Sequence, residues 1–143
     1  IYTPTHTLSL HDALPIFIEN AEKALAIACD KCDSIVSDYT AAPIYFNEDK
    51  NASHEWLIEF EREPENLEVF TDTFDNALKS LNSDYEAKRY KNMVLGQPVI
   101  RSLPDKTFYN WLKKKDKLGG QNKVPRLSNN RKYVDDILEM IKN

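Results

Sequence analysis

The sequence predicts an α+β domain in which a small mixed β-sheet is flanked by helices, and three patterns lead to that class. Apolar residues recur at helical spacing in several separate stretches, HEWLIEFE at 54–61 alternates as a strand does, and the two kinds of segment interleave without a regular βαβ repeat. With 143 residues, 41% hydrophobic and 29% charged, the chain is long enough for one domain with its own core and too short for a two-domain enzyme.

From Phe17 to Cys32, Leu25, Ile27 and the alanines recur at helical spacing with no Gly or Pro between them, which predicts a first helix. Residues 35–46, IVSDYTAAPIYF, are β-branched and aromatic and predict a strand, with Pro43 marking a bulge or an edge position. The polar stretch NEDKNAS then predicts a hairpin connection. In HEWLIEFE, Trp56, Ile58 and Phe60 fall on one side and Glu55, Leu57, Glu59 and Glu61 on the other, the pattern of a half-buried strand.

Beyond Pro64 the period changes, and Leu67, Phe70, Phe74, Ala77, Leu78 and Leu81 mark one stripe of a helix. Asn82, Ser83 and Asp84 interrupt it and can cap a shorter helix holding Tyr85 and Arg89. PVIRSLP at 98–104 predicts a third strand. Asp105 is the expected cap of a helix with Phe108, Trp111 and Leu112, ending in KKKDK before Gly119 and Gly120. A last helix is expected from Ser128 or Asn129, burying Tyr133, Val134, Ile137, Leu138 and Ile141.

Residues 1–16, IYTPTHTLSLHDALPI, fit neither a signal peptide nor a helix or strand. Thr7 to Ile16 instead translate, residue for residue, one frame of a common short-read sequencing adapter, ACTCTTTCCCTACACGACGCTCTTCCGATC. Ile1, Tyr2 and Thr3 match the adapter upstream of an in-frame index. The expectation is that residues 1–16 are not native, that natural sequence starts at residue 17, and that the protein's true beginning lies upstream. His6 and His11 then belong to no site. Without Asp12, residues 17–143 carry 19 basic and 22 acidic residues, a net charge of −3 against −4 for the whole chain.

That charge gives no reason to expect nucleic acid as the main partner, since such domains carry a basic excess. No apolar run approaches the roughly 18 residues of a membrane span. Cys29 and Cys32 are too few for a disulfide framework and accord with a reducing cytoplasm. Their C-x-x-C spacing closes the first helix, whereas a redox pair opens one, so they are expected as core thiols. His54 is the only histidine beyond residue 16, too little for a zinc site, and Glu59 and Glu61 are expected to face solvent.

The segment LGGQNKVPRLSN, residues 118–129, holds the most chemistry. Gly119 and Gly120 permit backbone conformations closed to other residues and Pro125 stiffens the exit, placing Lys123 on a mobile loop with one rigid side. A lysine there can bring a point charge to a phosphate or carboxylate, or can simply be solvated. Lys113, Lys114, Lys115, Lys117, Lys123 and Arg126 also make a basic run; nucleic-acid contact is one use for it, complementing a helix end the other.

The stretches YTAAPIYF, HEWLIEFEREPENLEVF, LNSDYEAKRYKNM, KTFYNWLKKKDKLGGQNKVPRLSN and RKYVDDIL together resemble the C-terminal region of the auxin-responsive-promoter (Gretchen Hagen) family in its bacterial form. The strongest element is GQNKVPR, similar to the family's Gly/Ser-Gln-x-Lys-x-Pro-Arg; the Tyr85 to Arg89 spacing and Thr107-Phe108 also fit. The resemblance implies an adenylate-forming acyl acid amido synthetase, which uses ATP and Mg2+ to activate a small carboxylic acid and passes the acyl group to an amino acid. It implies that this chain is the C-terminal lid domain, partnered by a large N-terminal ATP-binding domain that is missing here, so the fragment alone is inactive. Lys123 then matches the lid lysine, supported by Gly119, Gly120, Gln121 and Arg126. The alternative is a stand-alone module binding a small ligand or a protein, in which Lys123 is incidental.

Overall fold

The computed structural model describes residues 16–45, 52–92, 94–115 and 123–142. Residues 1–15, most of the expected hairpin connection, and Gly119, Gly120 and Gln121 lie outside the described residues.

Helix α1 (Ile18–Cys32) leads into β1 (Ile35–Tyr45) and β2 (Ala52–Arg62), followed by α2 (Leu67–Leu81) and α3 (Ser83–Arg89). A short 3-10 turn, β3 (Val99–Leu103), α4 (Thr107–Lys114) and α5 (Lys132–Lys142) complete the order. The sheet runs β1-β2-β3, antiparallel in the first pair and parallel in the second, so the fold is α+β with a small mixed sheet, as the sequence predicts. Pro43 lies on an edge strand. Ala41 in β1 exchanges backbone hydrogen bonds with residues outside the sheet, and Pro43, two positions on, has its missing N–H on that same outer side.

The helix boundaries follow side-chain chemistry. Asn66 accepts from the Val69 N–H at 3.1 Å and starts α2; Asn82 accepts from the Tyr85 N–H at 2.9 Å, ending α2 and starting α3. The last helix begins at Lys132, three residues later than Asn129. Leu127 pairs with Ala41 of β1, and the Ser128 N–H donates to the Ala41 carbonyl at 3.0 Å, which holds the backbone extended where a helix was expected.

The largest difference from expectation is at β2, the central strand, which is buried on both faces. Trp56, Ile58 and Phe60 face α1, α2 and α3, as their alternation requires. The opposite face is covered as well: Leu57 is fully buried with Phe108, Trp111, Val134 and Ile137 of α4 and α5. Glu59 therefore does not face solvent, while Glu61 does. The buried Glu59 carboxylate accepts from the backbone N–H groups of Lys106 at 3.0 Å and Phe108 at 3.1 Å. Glu59, not Asp105, thus caps α4, and its charge is satisfied by the helix's free donors. Glu55 is 1% exposed and carries ion pairs from Arg101 of β3 and from Arg131, at 2.7 Å, just before α5.

Cys29 and Cys32 are free thiols at the end of α1, packed against the first face, as expected of core cysteines. Ile16 is buried in the same core.

Candidate functional site

Residues 123–128 run along the outer edge of β1 and are fixed there from one side. The Thr40 hydroxyl donates to the Pro125 carbonyl at 2.6 Å, the Ala41 N–H donates to the Arg126 carbonyl at 2.9 Å, and Val124 is buried in the second core. The expected rigid exit is therefore a short stretch of strand-like pairing, reinforced by one buried valine next to Lys123.

Arg126 is held in place by two groups, Asp38 and Tyr39. It is ion-paired with Asp38 of β1, and its guanidinium carbon lies 4.8 Å from the centroid of the Tyr39 ring. The Tyr39 hydroxyl in turn donates to Glu22 of α1 at 2.5 Å; burial first, then this carboxylate, pushes its ionisation well above the ordinary tyrosine range. So Arg126 ties the segment to β1, and its side chain lines a different pocket, shared with Glu22 and Tyr39.

Lys123 is exposed and, among the described residues, makes no ion pair. It lies on the rim of a cavity of about 520 Å³ between α4 and α5, together with Trp111, Lys115, Lys132, Tyr133 and Asp136. Asp136 is occupied from two sides, by Lys115 at 2.9 Å and by the Trp111 Nε1–H at 2.7 Å. These two contacts, Lys115 first, hold its carboxyl below the usual range. Lys132 makes no ion pair among the described residues, and its ammonium lies 5.9 Å from the centroid of the adjacent Tyr133 ring. Among the described residues, three lysines against one aspartate give the lining two positive charges, in a chain whose net charge is −4. The cavity suits an anion.

Other residues singled out in the sequence have structural work. Tyr85 and Arg89, one turn apart on α3, both bind the buried Asp75 of α2: the Tyr85 hydroxyl at 2.7 Å and Arg89 through two nitrogens at 2.9 and 2.6 Å. Burial raises the Asp75 carboxyl, but the Arg89 and Tyr85 hydrogen bonds outweigh it and hold the group below its ordinary range. Arg89 also donates to the Leu95 carbonyl, fixing the segment that leads to β3. The Thr107 hydroxyl donates to the Pro104 carbonyl at 2.6 Å, closing the turn before α4. Of the basic run, Lys113 and Lys114 occupy the last turn of α4, Lys115 pairs with Asp136, and Arg126 pairs with Asp38.

The family model for the GH3 family C-terminal domain matches residues 19–132. The chain belongs to that family. It is the family named by the sequence resemblance, and its C-terminal domain. Among solved structures, the domain superposes on a GH3.15 acyl acid amido synthetase with a TM-score of 0.63 at 19% identity, covering 85% of this chain and 24% of that one. The AtGH3.15 acyl acid amido synthetase in complex with 2,4-DB gives a TM-score of 0.63 at 18% identity, covering 85% and 23%. No curated protein matches this chain. The GH3 domain thus spans about a quarter of the solved synthetases it is similar to, and the likeness establishes the fold.

Within it, sequence reasoning missed Lys132 and Asp136. Their spacing of four on the expected last helix puts both on one face, but nothing in the sequence says that this face meets Lys123. Among the described residues no group of three or more His, Cys, Asp or Glu is placed to hold a metal ion. No helix among them is long and apolar enough to cross a membrane.

Proposed function

We propose that this GH3 domain is the lid of an ATP-dependent, AMP-forming acyl acid amido synthetase, of bacterial form and cytoplasmic, that joins a small carboxylic acid to an amino acid. The observation that carries the proposal is the state of Lys123: an exposed ammonium without a carboxylate partner among the described residues, on a segment anchored to β1 immediately after it. Adenylation places growing negative charge on the α-phosphate as pyrophosphate leaves, and a cation brought up by a closing domain stabilises that state. Lys123 supplies the cation. Arg126 and Val124 keep its segment in register with the sheet, so that moving the domain moves the charge as a rigid attachment; the supporting role of Gly119, Gly120 and Gln121, which precede it in sequence, is part of the same proposal.

ATP, Mg2+ and most of the acid pocket belong, in this proposal, to a large N-terminal domain outside this chain, and the fragment alone forms no adenylate. The proposal also holds residues 1–16 to be translated adapter, so that reads extending upstream of Phe17 encode the N-terminal domain. A start codon there without such a domain would favour a stand-alone binding module. The direct test is Lys123→Ala in the reconstructed full-length enzyme. Acid-dependent pyrophosphate exchange is expected to fall by about a hundredfold or more, the scale of losing a transition-state charge contact, with amide formation from pre-made acyl-adenylate less affected. Exchange that survives unchanged would remove Lys123 from the chemistry.

A further inference from the structure

We infer that the cavity between α4 and α5 is an oligophosphate site built entirely by this domain, with Lys132 as a second cation beside Lys123. Its cavity of about 520 Å³ is roomy enough for a diphosphate with its water. Two of its three lysines, Lys123 and Lys132, have no carboxylate partner among the described residues, while the third, Lys115, is occupied with Asp136. Asp136, the one acidic group among the described lining residues, is therefore already paired, with Lys115 and with the Trp111 indole N–H. What remains is a doubly positive concavity with a partly aromatic wall. A singly charged carboxylate would satisfy one ammonium, whereas a chain of two or more phosphates carries charge for both.

The position of Lys132 follows from the fold. Arg131, the residue before it, is locked to Glu55, Asp135 and the Pro43 carbonyl, which fixes the first turn of α5 against the sheet and holds Lys132 beside the mouth. On the other side, the buried Val124 fixes the backbone next to Lys123. Both cations are thus presented from anchored backbone. The assignment of this cavity to the pyrophosphate released on adenylation, or to the phosphate tail of ATP, rests on the proposed lid function; the binding itself does not.

The test is a titration of the whole 143-residue chain in metal-free, low-salt buffer, read by calorimetry and by the fluorescence of Trp111, whose indole N–H is engaged at the cavity. Pyrophosphate is expected to bind and to weaken steeply with salt. Lys123→Gln and Lys132→Gln should each weaken it by about tenfold, the scale of one charged hydrogen bond. Lys142→Gln, at the exposed end of α5, should leave it unchanged. Circular dichroism confirms that each variant folds. Tighter binding of pyrophosphate than of ATP marks a product site, and the reverse order a site for the nucleotide tail. No pyrophosphate binding, equal binding of acetate, or an equal loss with Lys142→Gln would each overturn the inference. Failure of the lid proposal shows up separately, as pyrophosphate exchange in the full-length enzyme that does not depend on Lys123.

Discussion

The two faces of the sheet are built differently, and the difference separates structure from candidate chemistry. On the first face, among the described residues, seventeen buried apolar side chains form one core in which Trp56 meets Phe74 edge-on at 4.7 Å and Phe60 meets Phe70 at 5.2 Å. Its charged pair, Asp75 and Arg89, is closed in at 4% and 7% exposure. The second face has eight such residues among those described; its carboxylates Glu55 and Glu59 are buried as well and bind helix starts, but the arginines that meet Glu55 are partly exposed and the lysines border an open cavity. A sealed face holds its shape by packing. An open-edged face can present charge without carrying the fold.

The sharpest way to break this comparison is a pair of truncations on either side of the sheet. Phe74→Ala is expected to cost about 3–5 kcal/mol and Leu57→Ala about 2–3 kcal/mol, because the thinner second core can relax around the gap. Urea denaturation of both variants checks this; a larger loss from Leu57→Ala would reverse the assignment of the main core.

Acid should strike the first face next. His54 is 1% exposed, and burial pushes its imidazole down to about 3, with the nearby Asp75 carboxylate opposing. Between that value and the ordinary histidine value of about 6.5, the unfolded chain binds a proton that the folded chain does not. Stability therefore rises with pH across this window and is lost as pH falls, by on the order of 5 kcal/mol over its full width. The depressed Asp75 carboxyl adds a loss of the same sign at lower pH: its contribution is present above the unfolded carboxylate value and disappears as pH falls through the folded one. The urea midpoint at pH 4.5 should thus lie well below that at pH 7, with the gap reduced in His54→Gln. Equal midpoints would mean that His54 is not held neutral by burial.

Smaller effects belong to the second face. Glu59→Gln keeps the shape of the α4 cap but removes the charge that two backbone N–H groups share, with an expected cost of about 1–2 kcal/mol in thermal unfolding. Lys123→Ala should change stability by less than about 0.5 kcal/mol, since the side chain is exposed and makes no ion pair among the described residues. A melting temperature matching that of the parent chain would confirm that Lys123 is dispensable to the fold; a large drop would make it a structural residue.

Much of the molecule was legible because its signals are local. The helical stripe from Leu67 to Leu81, the alternation of Trp56, Ile58 and Phe60, and the capping role of Asn82 depend on neighbours within a few positions. Lys123 was legible as an exposed lysine beside a stiff Pro-Arg exit for the same reason. The Tyr85 to Arg89 spacing was legible as a pattern, but not its purpose, because Asp75 sits on a different helix.

The sequence by itself determined the α+β class, the periods of the elements and the presence of an exposed lysine on the loop before Pro125. Only the tertiary structure decided that Glu55 and Glu59 are buried, that α5 starts after a stretch paired to β1, and that Lys115, Lys123 and Lys132 share one cavity. The alternation of a strand records which residues share a side, but not what covers that side. Here the cover comes from α4 and α5, brought back to β2 by contacts such as Arg131 to Glu55 that join residues far apart in the chain.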